Sequence, residues 1–258
     1  MRKLRTDGWQ SSVAWNHYPV ALEVTGITLP VQRARFKAGY AELEGLSREE
    51  QAAYWIQVWQ NSNLMVSLSQ AIFFFEMWAN ERRKLKSSGD VDFVFDPIWT
   101  RLLKMVDRLD NWIHSDGLSG LIAAAVEERQ RERFPVLVKW NRDKNPWRRR
   151  QSVVSLHYYS RFRKVPLPSS KTLPLIENLL DDEHFYVQRG VGWALRECYN
   201  VDPKAMMKFL NKHIGRIAPI GYYAAVERLS SKEKARLREL RKKQRQLTPR
   251  KKSARAKV

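Results

Sequence analysis

Cysteine is nearly absent: Cys198 is the single one in 258 residues. That excludes an intramolecular disulfide and a cysteine-based zinc site, and it fits a reducing compartment. A long apolar run is also missing. The longest, Leu64 to Trp78, is broken by Ser67, Ser69, Gln70 and Glu76, too short and too polar to span a bilayer. The start, Met1-Arg2-Lys3-Leu4-Arg5, is basic but lacks the apolar stretch of a secretory signal. No membrane partner is expected. The five histidines, His17, His114, His157, His184 and His213, have no metal-ligand spacing. No metal and no small-molecule cofactor is expected either.

Acidic residues are scarce beside basic ones. There are 27 Asp and Glu against 47 Lys and Arg, a formal net charge of +20. Part of the excess is local, since residues 232–258 hold 13 basic and 2 acidic side chains. The remaining 34 basic and 25 acidic residues still leave the body at +9. A basic tail alone is often a solvated end, but a basic folded body carrying one favours a polyanionic partner, nucleic acid above all. Hydrophobic residues at 43%, with ten Trp, ten Phe and nine Tyr, supply ample core.

Apolar residues recur at helical spacing and no segment reads as a strand. Helices are expected over Val31–Leu43, Arg48–Gln60, Leu64–Leu85, Pro97–Leu109, Leu118–Arg133, Trp147–Arg161, Leu173–Leu180, Phe185–Tyr199, Pro203–Lys212 and Gly221–Leu229. Breaks fall at Gly26…Pro30, Ser87-Ser88-Gly89-Asp90, Asn145-Pro146, Pro166-Leu167-Pro168 and Asp202-Pro203, and Ser47-Arg48-Glu49-Glu50 has the form of a capping box. Three segments beginning at Met65, Trp147 and Tyr186 align without gaps, the last two 39 residues apart and the first two 82 apart. Stacked helix pairs of about 40 residues form such a pattern. Three buried helices of similar amphipathicity would also align. The expected fold is all-α, a HEAT-like helical-repeat solenoid with a concave basic face. Its parts are an unassigned segment over 1–24, the repeat domain over 25–230, and a basic helix with a disordered tail over 231–258.

Three places set aromatics beside charge. Trp112 and Asp116 are four apart, so a helix puts indole and carboxylate on one face. Trp147-Arg148-Arg149-Arg150 opens a helix with Arg150 one turn from Trp147. In Arg189-Gly190-Val191-Gly192-Trp193-Ala194-Leu195-Arg196-Glu197, two glycines stand just before Trp193 and let something approach closely. Each has a plainer reading: a core Trp, an indole N–H capped by a carboxylate, a solvated arginine face. Together, two Trp and one Asp on a basic surface suit a cationic deoxynucleoside.

These segments resemble the AlkD-like DNA alkylation-repair family. Four of its features occur in order: Gly-Ile-x-x-Pro-x-x-Arg (Gly26 to Arg33), Trp-x-x-x-Asp (Trp112 to Asp116), Trp-x-x-Arg (Trp147 to Arg150) and Gly-Trp-x-Leu-Arg-Glu (Gly192 to Glu197). The likeness covers roughly residues 25 to 230. Where the family often has an acidic residue after the motif's Trp and an apolar one before its Asp, this chain has Ile113 and Ser115.

The resemblance implies a DNA glycosylase acting as a monomer on alkylated bases in double-stranded DNA, cytoplasmic and DNA-associated. It implies Asp116, Trp112 and Trp193 as the catalytic set. Arg150, Arg149, Arg148, Trp147, Arg189 and Arg33 would be the DNA contacts. A second reading is a HEAT-like scaffold that binds damaged or distorted DNA without cutting it.

Overall fold

A computed structural model describes residues 21–247; the expected segment up to residue 20, His17 with it, and the tail beyond residue 247 lie outside the described residues. Twelve α-helices are found among the described residues. None of the described residues forms a strand; there is an isolated parallel bridge between Glu23 and Leu64. The helices fall into two units, divided between Glu128 and Arg129.

The first unit contains α1 (Leu29–Lys37), α2 (Arg48–Asn61), α3 (Met65–Ser88), α4 (Asp96–Val106) and α5 (Trp112–Glu128). Pro30 sits in the first turn of α1, where its missing N–H is no loss. The helix expected to reach Leu43 stops at Lys37, because Gly39 takes a left-handed φ of 80° and a 3-10 turn, Ala41–Leu43, follows. The Ser47 box forms as expected: its hydroxyl accepts from the Glu50 amide while Glu50 accepts from the Ser47 amide. The core is aromatic. Trp55, Trp59, Phe73, Phe74, Phe75 and Trp78 are buried where α2 packs on α3, and Trp59 donates its indole N–H to the Met105 carbonyl at 3.0 Å.

The second unit contains α6 (Gln130–Trp140), α7 (Pro146–Val154), α8 (Ser169–Asn178), α9 (Phe185–Val201), α10 (Pro203–His213), α11 (Pro219–Ala225) and α12 (Ser231–Leu247). Here the repeat is explicit. α6 and α8 begin 39 residues apart, at Gln130 and Ser169, and so do α7 and α9, at Pro146 and Phe185. Pro135 and Pro174 occupy equivalent positions inside α6 and α8. The turn before each second helix is closed alike. The Asn145 amide donates to Asp143 at 2.8 Å, and the His184 amide donates to Asp182 at 2.9 Å. The Asn145 amide, then Arg148, holds the Asp143 carboxyl below its ordinary value.

Several expected boundaries moved, α8 and α11 by a few residues at each end, two other helices by more. The helix expected over Leu118–Arg133 is two, α5 starting at Trp112 and α6 ending at Trp140. The start was hidden because α5 buries His114, Ser115 and Ser119, which read as solvent-facing. The continuation was hidden by Pro135, which α6 tolerates inside the helix. The helix expected to run to Arg161 ends at Val154. The charged α12 is not a detached arm. Leu237 is buried, Arg241 lies over the Tyr222 ring at 4.6 Å, and Gln244 accepts from the Gly215 amide.

Candidate functional site

In the first unit the candidate residues ride on α5, and the buried side of that helix fixes them. Asn111 caps it, its side-chain oxygen accepting from the His114 amide at 2.9 Å. The Asn111 side-chain amide donates to Asp110 and points at His114 Nδ1, 2.9 Å away. Nδ1 is therefore the acceptor, which leaves the ring proton on Nε2, 3.2 Å from the Met65 carbonyl and from Ser69 Oγ. Burial holds His114 neutral, its pKa pushed down to about 4 against the opposing pull of the Met65 carbonyl. With this face locked between α3 and α4, Trp112 and Asp116 lie one turn apart on the other side, both partly exposed. An anchored polar bed beneath a half-exposed indole–carboxylate pair is the geometry of this region.

Arg33 is exposed on α1. Its guanidinium lies 4.3 Å from the Phe73 ring centroid and pairs with Glu76 at 3.0 Å.

In the second unit the Trp-x-x-Arg segment is turned inward. Trp147 is buried and stacks on Tyr186, centroids 5.3 Å apart. Arg150 is buried beside it and donates to the Tyr186 carbonyl at 2.8 Å, tying α7 to α9. Arg149 pairs with Asp182 at 2.5 Å and also donates to the Asp143 and Lys144 carbonyls. Arg148 pairs with Asp143 at 2.7 Å. The sequence treats all four as DNA-facing. The structure places Trp147 and Arg150 in the interior of their unit and gives Arg148 and Arg149 carboxylate partners.

Arg189, the repeat equivalent of Arg150, is exposed on α9. Trp193 is half-buried. Its ring lies 4.9 Å from Tyr158 and 6.0 Å from Tyr159, with the Arg196 guanidinium 5.2 Å from its centroid. The close approach expected at Gly192 is made by protein. A Cβ there would come within 2.2 Å of the Gly221 carbonyl oxygen, so this glycine lets the backbones of α9 and α11 touch.

Sequence reasoning missed the segment after α7, read there as more helix. Tyr158, Tyr159 and Phe162 instead belong to a turn closed by a short 3-10 helix, Ser160–Phe162, and strapped to the buried Glu197. The signal was present as aromatics interleaved with Arg161, Arg163 and Lys164. Among the described residues, no group of His, Cys, Asp and Glu could hold a metal ion. Cys198 is buried and its thiol is pushed up to about 12, first by that burial.

Residues 11–229 match the sequence profile of a family described as "DNA alkylation repair enzyme". No curated protein matches the chain in sequence. Among solved structures, the chain is similar to an Enterococcus faecalis protein described as a predicted DNA alkylation repair enzyme. The TM-score is 0.58 at 14% identity, covering 82% of this chain and 90% of that one. It is also similar to AlkD2 from Streptococcus mutans, with a TM-score of 0.47 at 17% identity, covering 84% and 90%. At these identities the first likeness speaks to the helical-repeat fold.

Proposed function

The chain belongs to the family of DNA alkylation repair enzymes, and on that premise we propose that it is a DNA glycosylase releasing cationic alkylated purines. The observation that carries this reading is the pair Trp112 and Asp116, one turn apart on a helix whose opposite face is locked in the core. Alkylating a purine ring nitrogen makes the base cationic and a good leaving group. When the glycosidic bond breaks, its electron pair goes to the base and positive charge develops on the deoxyribose. A fixed carboxylate stabilises that charge and orients the water that adds to the sugar and gives up a proton. Asp116 fills this role. The indole face of Trp112 attracts a cationic base by about 0.5–2 kcal/mol through the ring quadrupole. Trp193 offers the same chemistry and is assigned it on the resemblance.

Base release from DNA tests the reading. Duplex treated with a methylating agent should yield 3-methyladenine and 7-methylguanine, while uracil and hypoxanthine, neutral bases, should stay in place. Release of uracil with no action on methylated purines would overturn it. Tight binding of distorted DNA with no release of any base would favour the scaffold.

A further inference from the structure

The turn between α7 and α8 concentrates exposed apolar surface. Tyr159 is 43% exposed, Phe162 64% and Val165 62%, all within seven residues. Such side chains normally hide unless they meet a partner. They are not loosely held. The rings form a chain, Trp193 to Tyr158 and Tyr159 at 4.9 and 6.0 Å, then Tyr159 to Phe162 at 6.2 Å. Tyr159 has a φ of 47°, the one left-handed non-glycine backbone among the described residues. A bulky side chain adopts that conformation only when its surroundings impose it.

Glu197 imposes it. The carboxylate is 1% exposed, and one oxygen accepts from the Ser160 amide at 2.9 Å and the Ser160 hydroxyl at 2.7 Å. Asn200 donates to the same hydroxyl at 2.8 Å. The other oxygen meets Arg196 at 3.2 Å and Arg228 at 3.3 Å, which neutralises the buried charge. Around the rings stand cations. Arg161 lies 4.8 Å from the Phe162 centroid and 5.7 Å from that of Tyr159, and the exposed Lys164 follows two residues after Phe162.

We infer that residues 158–164 form a preset stacking wedge for unpaired bases in distorted DNA, and that Glu197 is its positioning residue. Exposed rings among cations suit a polyanion whose bases have free faces. In an intact duplex the neighbouring pairs cover those faces, so the wedge reads loss of stacking rather than sequence. This rests on the chain binding DNA but not on base excision, and the two separate experimentally.

The test uses the full chain and two duplexes, one intact and one carrying a single tetrahydrofuran abasic analogue beside 2-aminopurine. The wild type should prefer the abasic duplex and quench the probe. Replacing both Tyr159 and Phe162 by Ala should weaken abasic-duplex binding about tenfold, the scale of one lost base–aromatic stack. Intact-duplex binding and Tm should hold. Glu197→Gln should lose preference and quenching. Because that variant disturbs a buried ion cluster, Ser160→Ala, which removes the hydroxyl's bonds to Glu197 and Asn200 but keeps the buried charges paired, should show the same losses at smaller amplitude, measured well below its slightly lowered Tm. Unchanged preference in the double variant overturns the inference, even if methylated purines are still released. Preference and quenching without base release would uphold the wedge and sink the glycosylase. No DNA binding would sink both.

Discussion

Trp112 on α5 and Trp147 on α7 each head a motif in which a charged residue follows within one turn, Asp116 in the first unit and Arg150 in the second. Their fates are opposite. Trp112 and Asp116 stay half-exposed, whereas Trp147 and Arg150 are buried, the arginine bound to a main-chain carbonyl. The surroundings explain the difference. α5 packs on α3 and α4 and leaves Trp112 and Asp116 partly covered, while α7 packs against α6, α8 and α9. Helical spacing says which residues share a face; the packing around the helix decides whether that face sees solvent.

The contrast is breakable by mutation. The largest effect is expected where the second unit is tightest. Gly192→Ala would drive a Cβ into the Gly221 main chain and should destabilise by more than about 3 kcal/mol, read as lost soluble protein or a Tm lower by about 10 °C. Next is Asp116→Asn, which keeps shape and removes charge. Single-turnover excision should drop about 100-fold, with Tm unchanged and DNA affinity held or slightly raised. A fully active variant would make the carboxylate structural. Arg150→Met should give the reverse pattern. It leaves the Tyr186 carbonyl without this donor, so it should cost about 2 kcal/mol in denaturant unfolding and leave the salt dependence of DNA binding alone.

Each unit also buries a histidine whose pKa is pushed down to about 4, His114 in the first and His157 in the second, burial being the main cause in both. The unfolded chain takes up these protons near the ordinary value of 6.5, before the folded chain does. Stability is therefore complete above pH 6.5 and lost as pH falls toward 4, by up to about 1.4 kcal/mol per pH unit for each histidine. Their partners differ. His114 is bonded at both nitrogens, whereas His157 Nδ1 has no hydrogen-bond partner among the described residues. His157→Leu should flatten the acid dependence of Tm with little loss at neutral pH, and His114→Leu should be destabilising at every pH. The smallest change is expected on removing residues 248–258, which carry Arg250, Lys251, Lys252, Arg255 and Lys257: each lost phosphate contact flattens the log K against log salt slope by about 0.9.

Much of this architecture is legible in the sequence because amphipathic helices announce themselves by period. The 39-residue offset proved to be a repeat of helix pairs, down to the matching Asp143 and Asp182 turns. The front of α5 was illegible for a physical reason. Asn111, His114 and Ser119 are interior because they satisfy one another or the backbone, and a pattern of polar letters does not reveal that. Arg150 was misleading in the same way, since a buried guanidinium paired with a carbonyl looks from its letter like a surface cation. The Tyr159 turn was concealed because its apolar letters continue the helical spacing of α7, and the carboxylate that bends it away lies 38 residues downstream at Glu197.

The contact between α9 and α11 has a consequence for how these positions can vary. A side chain that clashes with a side chain can be accommodated by shrinking its neighbour. At Gly192 the obstruction is the main chain at Gly221, and a Cβ at Gly221 would in turn meet the Gln188 carbonyl oxygen at 2.8 Å. No second substitution relieves main chain against main chain. The two glycines should therefore behave as independent invariants rather than as a co-varying pair: in a library randomised at both, survivors should retain glycine at each, with no compensating combinations.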